Sequence, residues 1–256
     1  MKVHHETASG NETGEVVVLS NSIGSNLHMW DPQVKPLADN GFRVVRYDTR
    51  GHGRSPVPPG PYSIADLARD VIELLDTLGV ESAHFVGLSL GGMTGAWLGQ
   101  HAPDRIRSLA LTFTSAKPGN VDMWAERAKL VRAKGMGQIA PASIGRWFTP
   151  GWRDANPERA AELQQMTATT PPEGYASCCE AIAGLDLTPG LATITAPTLV
   201  VSGADDAAMP PSHGQVIATG IPGARFEILG HAAHLGSYEQ AEKFTELVLE
   251  HLKGAR

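Results

Sequence analysis

Apolar residues along this chain switch between two periods. Val16-Val17-Val18-Leu19-Ser20, Arg43-Val44-Val45-Arg46-Tyr47 and the Phe85-Val86 pair are short apolar runs of strand character. Runs of this kind mark strands covered on both faces, as in a mostly parallel sheet. Between the second and third runs, Ile64, Leu67, Val71, Leu74, Leu75 and Leu78 fall on one helical stripe. Ser63 with Asp66 predicts a cap at the start of that helix, and Gly79 a stop at its end. Strand patterns return at residues 108–113, 197–202 and 225–229. A last helix then presents Phe244, Leu247, Val248 and Leu252 on one face. This alternation predicts an α/β fold with a mostly parallel central sheet and helices on both faces.

Residues 117–187 break the rhythm. They read as several short helices with Pro and Gly joints and no strand. The expected division is therefore a core of residues 1–116 and 188–256, with a helical cap formed by residues 117–187. A length of 256 residues suits one such domain with an insertion. Within the insertion, residues 124–153 hold six cations (Arg127, Lys129, Arg132, Lys134, Arg146, Arg153) against one anion, Glu126. The same stretch holds Trp124, Trp147 and Trp152. Most of these residues read as a solvated basic face with aromatic anchors, yet a positive region in an acidic chain suits a small anionic substrate.

The chemistry is carried by Gly87-Leu88-Ser89-Leu90-Gly91, a G-x-S-x-G nucleophile elbow between a strand and a helix. The turn is so sharp that residues two before and two after the serine have no room for a Cβ. The acid and the histidine should follow in that order. The strand at 108–113 leads into Thr114, Ser115 and Ala116 with no acid, whereas the strand at 197–202 leads into Gly203-Ala204-Asp205-Asp206. Asp206 is favoured over Asp205, being three residues after the glycine. The histidines after it are His213, His231, His234 and His251. His213 opens a helix after Pro210-Pro211, and His251 reads as a surface residue of the last helix. His234, before Leu235-Gly236 and five residues ahead of Glu239, is favoured over His231 in the loop where the base belongs. A metal site at His231-x-x-His234 lacks a third ligand nearby. His52 precedes the elbow and reads as a residue that ties down a tight loop. The loop Ser20-Asn21-Ser22-Ile23-Gly24 should supply one oxyanion donor. The expected pair is the amides of Ser22 and Leu90, with Ile23 the nearest rival to Ser22.

Other function classes fall away. A net charge of −6 gives no reason to expect nucleic-acid binding. The N-terminus lacks a secretory pattern and no apolar run reaches membrane length, so a membrane partner is not expected. The two cysteines, Cys178 and Cys179, are adjacent, where a disulfide would be strained. They read as reduced thiols in a cytoplasmic protein.

Six segments together carry a family resemblance. They are Leu19-Ser20-Asn21-Ser22-Ile23-Gly24, Leu27-His28-Met29-Trp30-Asp31, Arg46-Tyr47-Asp48-Thr49-Arg50-Gly51-His52-Gly53, Gly87 to Gly92, Arg146-Trp147-Phe148-Thr149-Pro150, and Gly203 to Asp206. The chain resembles the 3-oxoadipate enol-lactonases, α/β hydrolases of the bacterial β-ketoadipate pathway. The resemblance implies an α/β-hydrolase fold and the opening of an anionic lactone to 3-oxoadipate without a metal or organic cofactor. Ser89, Asp206 and His234 would form the triad, and a cation of the cap would meet the substrate's carboxylate. Trp124, Arg127 and Trp147 are the candidates for that subsite. The rival readings are a broad carboxylesterase, a carbon–carbon bond hydrolase of the same fold, and a non-catalytic ligand-binding receptor.

Overall fold

The apolar runs stand side by side in one sheet. The structure is a computed structural model that describes residues 1–255. Its strands are β1 (His5–Ser9), β2 (Val16–Ser20), β3 (Arg43–Tyr47), β4 (Ala83–Leu88), β5 (Ile106–Thr112), β6 (Thr198–Gly203) and β7 (Arg225–Leu229). They are arranged in the order β1-β3-β2-β4-β5-β6-β7. All neighbours are parallel except β1, which runs antiparallel to β3 with His5 opposite Tyr47. Strands β2, β4 and β6 are buried at every residue, as their unbroken apolar character requires. The sequence pattern did not disclose β1, because its alternation is polar; its Glu6 pairs with Arg46 of β3 at 2.8 Å instead of entering a core.

Helices cover both faces of this sheet. One layer holds α1 (Asp31–Asp39) and the last helix, α11 (Ala241–Gly254), whose Phe244, Val248 and Leu252 pack with Trp30, Leu37 and Val201. The other holds α2 (Ile64–Thr77), α3 (Leu90–His101) and α9 (Pro211–Gly220), whose apolar residues meet Val18, Phe85, Leu111 and Val200. The expected cap of α2 is a complete capping box: Asp66 N–H donates to Ser63 Oγ at 3.2 Å and Ser63 N–H donates to Asp66 Oδ2 at 2.9 Å. His251 corrects one expectation. It is half-buried on α11, and burial lowers its pKa.

Between β5 and β6 the chain forms only helices: α4 (Val121–Lys134), α5 (Ile139–Trp147), α6 (Pro150–Ala155), α7 (Pro157–Ala168) and α8 (Pro172–Ala183). Helices α4 and α8 lie against each other and share an apolar cluster with Ile23, Leu90 and Met93 beside the elbow. This insertion is thereby seated at the carboxyl ends of the strands, where open α/β sheets bind ligands. A short helix, α10 (Gly236–Glu239), precedes α11. No helix among the described residues is long and apolar enough to cross a membrane.

Candidate active site

Ser89 sits between β4 and α3 with φ 57°, a left-handed conformation that non-glycine residues rarely adopt. Two hydrogen bonds hold it there. Ser89 N–H donates to Thr112 O at 2.9 Å, and Thr114 Oγ1 donates to Ser89 O at 2.7 Å. The glycines on either side answer a close approach of backbones. A Cβ at Gly87 would lie 2.2 Å from Gly91 O, and one at Gly91 would lie 2.2 Å from Ser20 O. No side chain fits at either distance, so the elbow demands both glycines.

The loop after β6 presents Asp206 to His234. Its Oδ2 lies 2.8 Å from His234 Nδ1, while its Oδ1 accepts the amides of Ala208 at 2.8 Å and Met209 at 2.9 Å. Both residues are buried. With Nδ1 donating to the carboxylate, Nε2 is left as the basic nitrogen. Asp205 is exposed, as is His231, which has φ 56°. The geometry thus brings together the favoured acid and histidine and leaves both rivals in solvent.

Ser89 and His234 line one cavity of about 230 Å³, smaller than a typical drug pocket and suited to a small metabolite. Ser22 and Ile23 border it from the loop after β2, and Trp124, Arg127, Ser143, Arg146, Trp147 and Tyr175 come from the insertion. Every sequence-predicted site residue except Asp206 and Leu90 borders this space; Asp206 reaches it through His234. Leu90 contributes the first amide of α3, a position with no intrahelical acceptor. The next amide, Gly91, donates to Asn21 O at 2.9 Å and joins the elbow to the loop. Ser22 N–H donates to Met29 Sδ at 3.2 Å, a weak acceptor that yields readily to an anion. His52 anchors the same loop by accepting Gly24 N–H at 3.0 Å, and burial holds its pKa down to about 4.

The cavity is electrostatically one-sided. No carboxylate lines it. Arg127 lies over the Trp124 ring at 4.9 Å, and burial pushes the pKa of the Tyr175 hydroxyl up to about 12. Burial, reinforced by the charge of Arg127, lowers the pKa of Arg146. Neither arginine has a carboxylate within ion-pair distance among the described residues. Trp124 Nε1 and Ser22 Oγ are buried without partners among the described residues, a cost of about 1–3 kcal/mol each. The sequence reading placed Arg127, Trp124 and Trp147 here but gave Arg146 no primary role. Its signal was the Arg-Trp-Phe-Thr-Pro segment itself, which ends α5 with Arg146 and Trp147 both turned to the cavity. Tyr175 and Ser143 carried no signal in the sequence, because nothing local marks which face of a short helix meets the site. No cluster of three or more metal-ligating side chains occurs among the described residues.

Comparison with known proteins agrees with this architecture. Residues 15–241 match the model of the alpha/beta hydrolase fold family. The chain is 43% identical to 3-oxoadipate enol-lactonase 2 of Acinetobacter baylyi over 91% of its own length and 86% of the relative's. Its structure is similar to that of the enol-lactonase from Burkholderia xenovorans LB400, with a TM-score of 0.95 and 43% identity, covering 98% of this chain and 96% of the other. A malate-bound thermophilic esterase from Thermogutta terrifontis shares 31% identity with a TM-score of 0.93, covering 99% of this chain and 93% of the other. With the elbow at the end of β4, the helical insertion after β5 and matches spanning nearly the whole chain, this protein belongs to the alpha/beta hydrolase family.

Proposed function

We propose that this protein opens 3-oxoadipate enol-lactone to 3-oxoadipate, a step of aromatic catabolism in the β-ketoadipate pathway, with residues 117–187 serving as the cap. One observation carries the reading: one small cavity sets Ser89 and His234 beside two arginines that have no carboxylate partner among the described residues. Enol-lactonase relatives at 43% identity in sequence and in structure support the substrate.

In this reading His234 Nε2 takes the proton of Ser89 as Oγ bonds to the lactone carbonyl carbon, with Asp206 stabilising the imidazolium. The oxyanion is met by the amides of Ser22 and Leu90, the former leaving Met29 Sδ. Each preorganised donor of this kind is worth roughly 3–4 kcal/mol. The ring C–O bond then breaks and expels an enolate, a better leaving group than an alkoxide. His234 returns the proton and the enol relaxes to the ketone. Water, activated by the same histidine, adds to the acyl-enzyme and releases the acid. Throughout, Arg127 and Arg146 hold the free carboxylate, and Trp124 and Trp147 enclose the ring.

The purified protein should convert the enol-lactone to 3-oxoadipate, and prior labelling of Ser89 with a fluorophosphonate should stop it. Turnover of p-nitrophenyl acetate with none of the lactone would identify a broad esterase instead. Absence of labelling would point to a ligand-binding receptor.

A further inference from the structure

The base and the substrate pocket are joined by one side chain that the mechanism has not used. Glu239 ends α10, five residues after His234, and is half-buried. One of its oxygens, Oε1, accepts Thr149 N–H at 3.0 Å and also the Thr149 hydroxyl. The other, Oε2, accepts Ala233 N–H at 2.8 Å. Thr149 follows the segment that carries Arg146 and Trp147, and Ala233 immediately precedes His234. A second bond runs alongside, Leu235 N–H donating to Trp147 O at 2.9 Å. The residues on either side of His234 are therefore both fastened to the insertion.

We propose that Glu239 is a positioning residue that locks the histidine loop and the pocket segment Arg146–Thr149 into one unit, so that base and carboxylate-binding group are set together. The proposal rests on His234 being the base, and not on which ester or lactone is cleaved. Three features favour it over a merely structural role. The carboxylate meets no cation within ion-pair distance among the described residues, so its charge serves the three donors alone. Those donors come from Thr149 and Ala233, 84 residues apart in sequence. Apolar contact between the segments is supplied separately, by Tyr238 packing edge-on against Phe148 and Trp152 at 6.4 Å from each. Loss of the carboxylate should then loosen the register between base and pocket without separating them.

The amide of a glutamine offers one acceptor oxygen where the carboxylate offers two, so Glu239→Gln must turn an NH₂ group toward one of the donors. Its kcat should fall about ten- to a hundredfold on both the carboxylated enol-lactone and p-nitrophenyl acetate, because the base is displaced. Its KM should rise for the lactone and stay unchanged for the ester. Thr149→Val, which removes only the hydroxyl, should raise KM for the lactone alone, and Thr149→Ser should restore it. If Glu239→Gln kept kcat within about twofold of the parent on both substrates, the proposal would be overturned whatever happened to Tm. Equal KM increases on lactone and ester in Thr149→Val would overturn the pocket half of it. Should the parent protein cleave the ester and not the lactone, the substrate assignment fails, while kcat on the ester still reads the coupling.

Discussion

Alanine at Ser89 or at His234 is expected to lower kcat for the enol-lactone by about a million-fold, each alone as damaging as both together, because nucleophile and base act as a unit. The fold should survive. The elbow's conformation is held by backbone bonds to Thr112 and by the Thr114 hydroxyl, neither of which involves the Ser89 side chain. Asp206→Asn is expected to cost about ten thousand-fold in kcat. An asparagine can still cap the Ala208 and Met209 amides through its carbonyl oxygen, yet it cannot stabilise the imidazolium. Asp205→Asn should stay near the parent value, since Asp205 is exposed and only its backbone is engaged, donating to Ala232 O at 3.0 Å. Kinetics on all four variants check this. An active His234→Ala beside an inactive His231→Ala would show that the wrong histidine has been assigned the role.

The second large effect concerns binding. Arg127→Ala and Arg146→Ala should each raise KM for the carboxylated lactone about ten- to a hundredfold, the worth of one charged hydrogen bond at about 1.5–3 kcal/mol. A small neutral ester should be almost indifferent. The two losses should not add, because both arginines would hold one ligand and the charge of Arg127, after burial, lowers the pKa of Arg146. Affinity for the anion should also fall as salt rises, less steeply than for an exposed pair because the site is half-enclosed. Equal losses on the anionic and the neutral substrate would mean that the arginines only support the insertion. Arg153, also in the basic stretch, is not among the residues lining the cavity and should be silent in this assay.

What could be read ahead of the structure follows from where the information lies. The elbow was legible because its geometry excludes side chains at Gly87 and Gly91, and the central strands β2, β4 and β6 were legible because both their faces are covered. Helix α2 announced itself through a complete amphipathic stripe and its capping residues. Strand β1 was silent, since an edge strand that turns polar residues outward has no apolar run to show. Asp206 and His234 could be ranked by chain order and loop position, but their hydrogen bond depends on two loops 28 residues apart meeting above the sheet. The insertion was the least legible part. Its charge excess pointed to an anion, yet only tertiary packing decides that Arg127 and Arg146 enter the cavity while Arg132 pairs with Glu173 and Glu180 at the surface. The Ser22 amide's bond to Met29 also lay beyond sequence reasoning, because a thioether seven residues away carries no pattern.

The most direct test of the account compares kcat/KM for the carboxylated enol-lactone with that for its methyl ester, the same ring with the charge removed, at low ionic strength. Both molecules present the same carbonyl to Ser89, so their difference isolates what the two arginines contribute. The free carboxylate should win by about tenfold or more, chiefly through KM, with the gap closing in Arg127→Ala and in high salt. A methyl ester turned over as well as the free acid would contradict the account, and the cavity would then belong to an esterase that does not read charge.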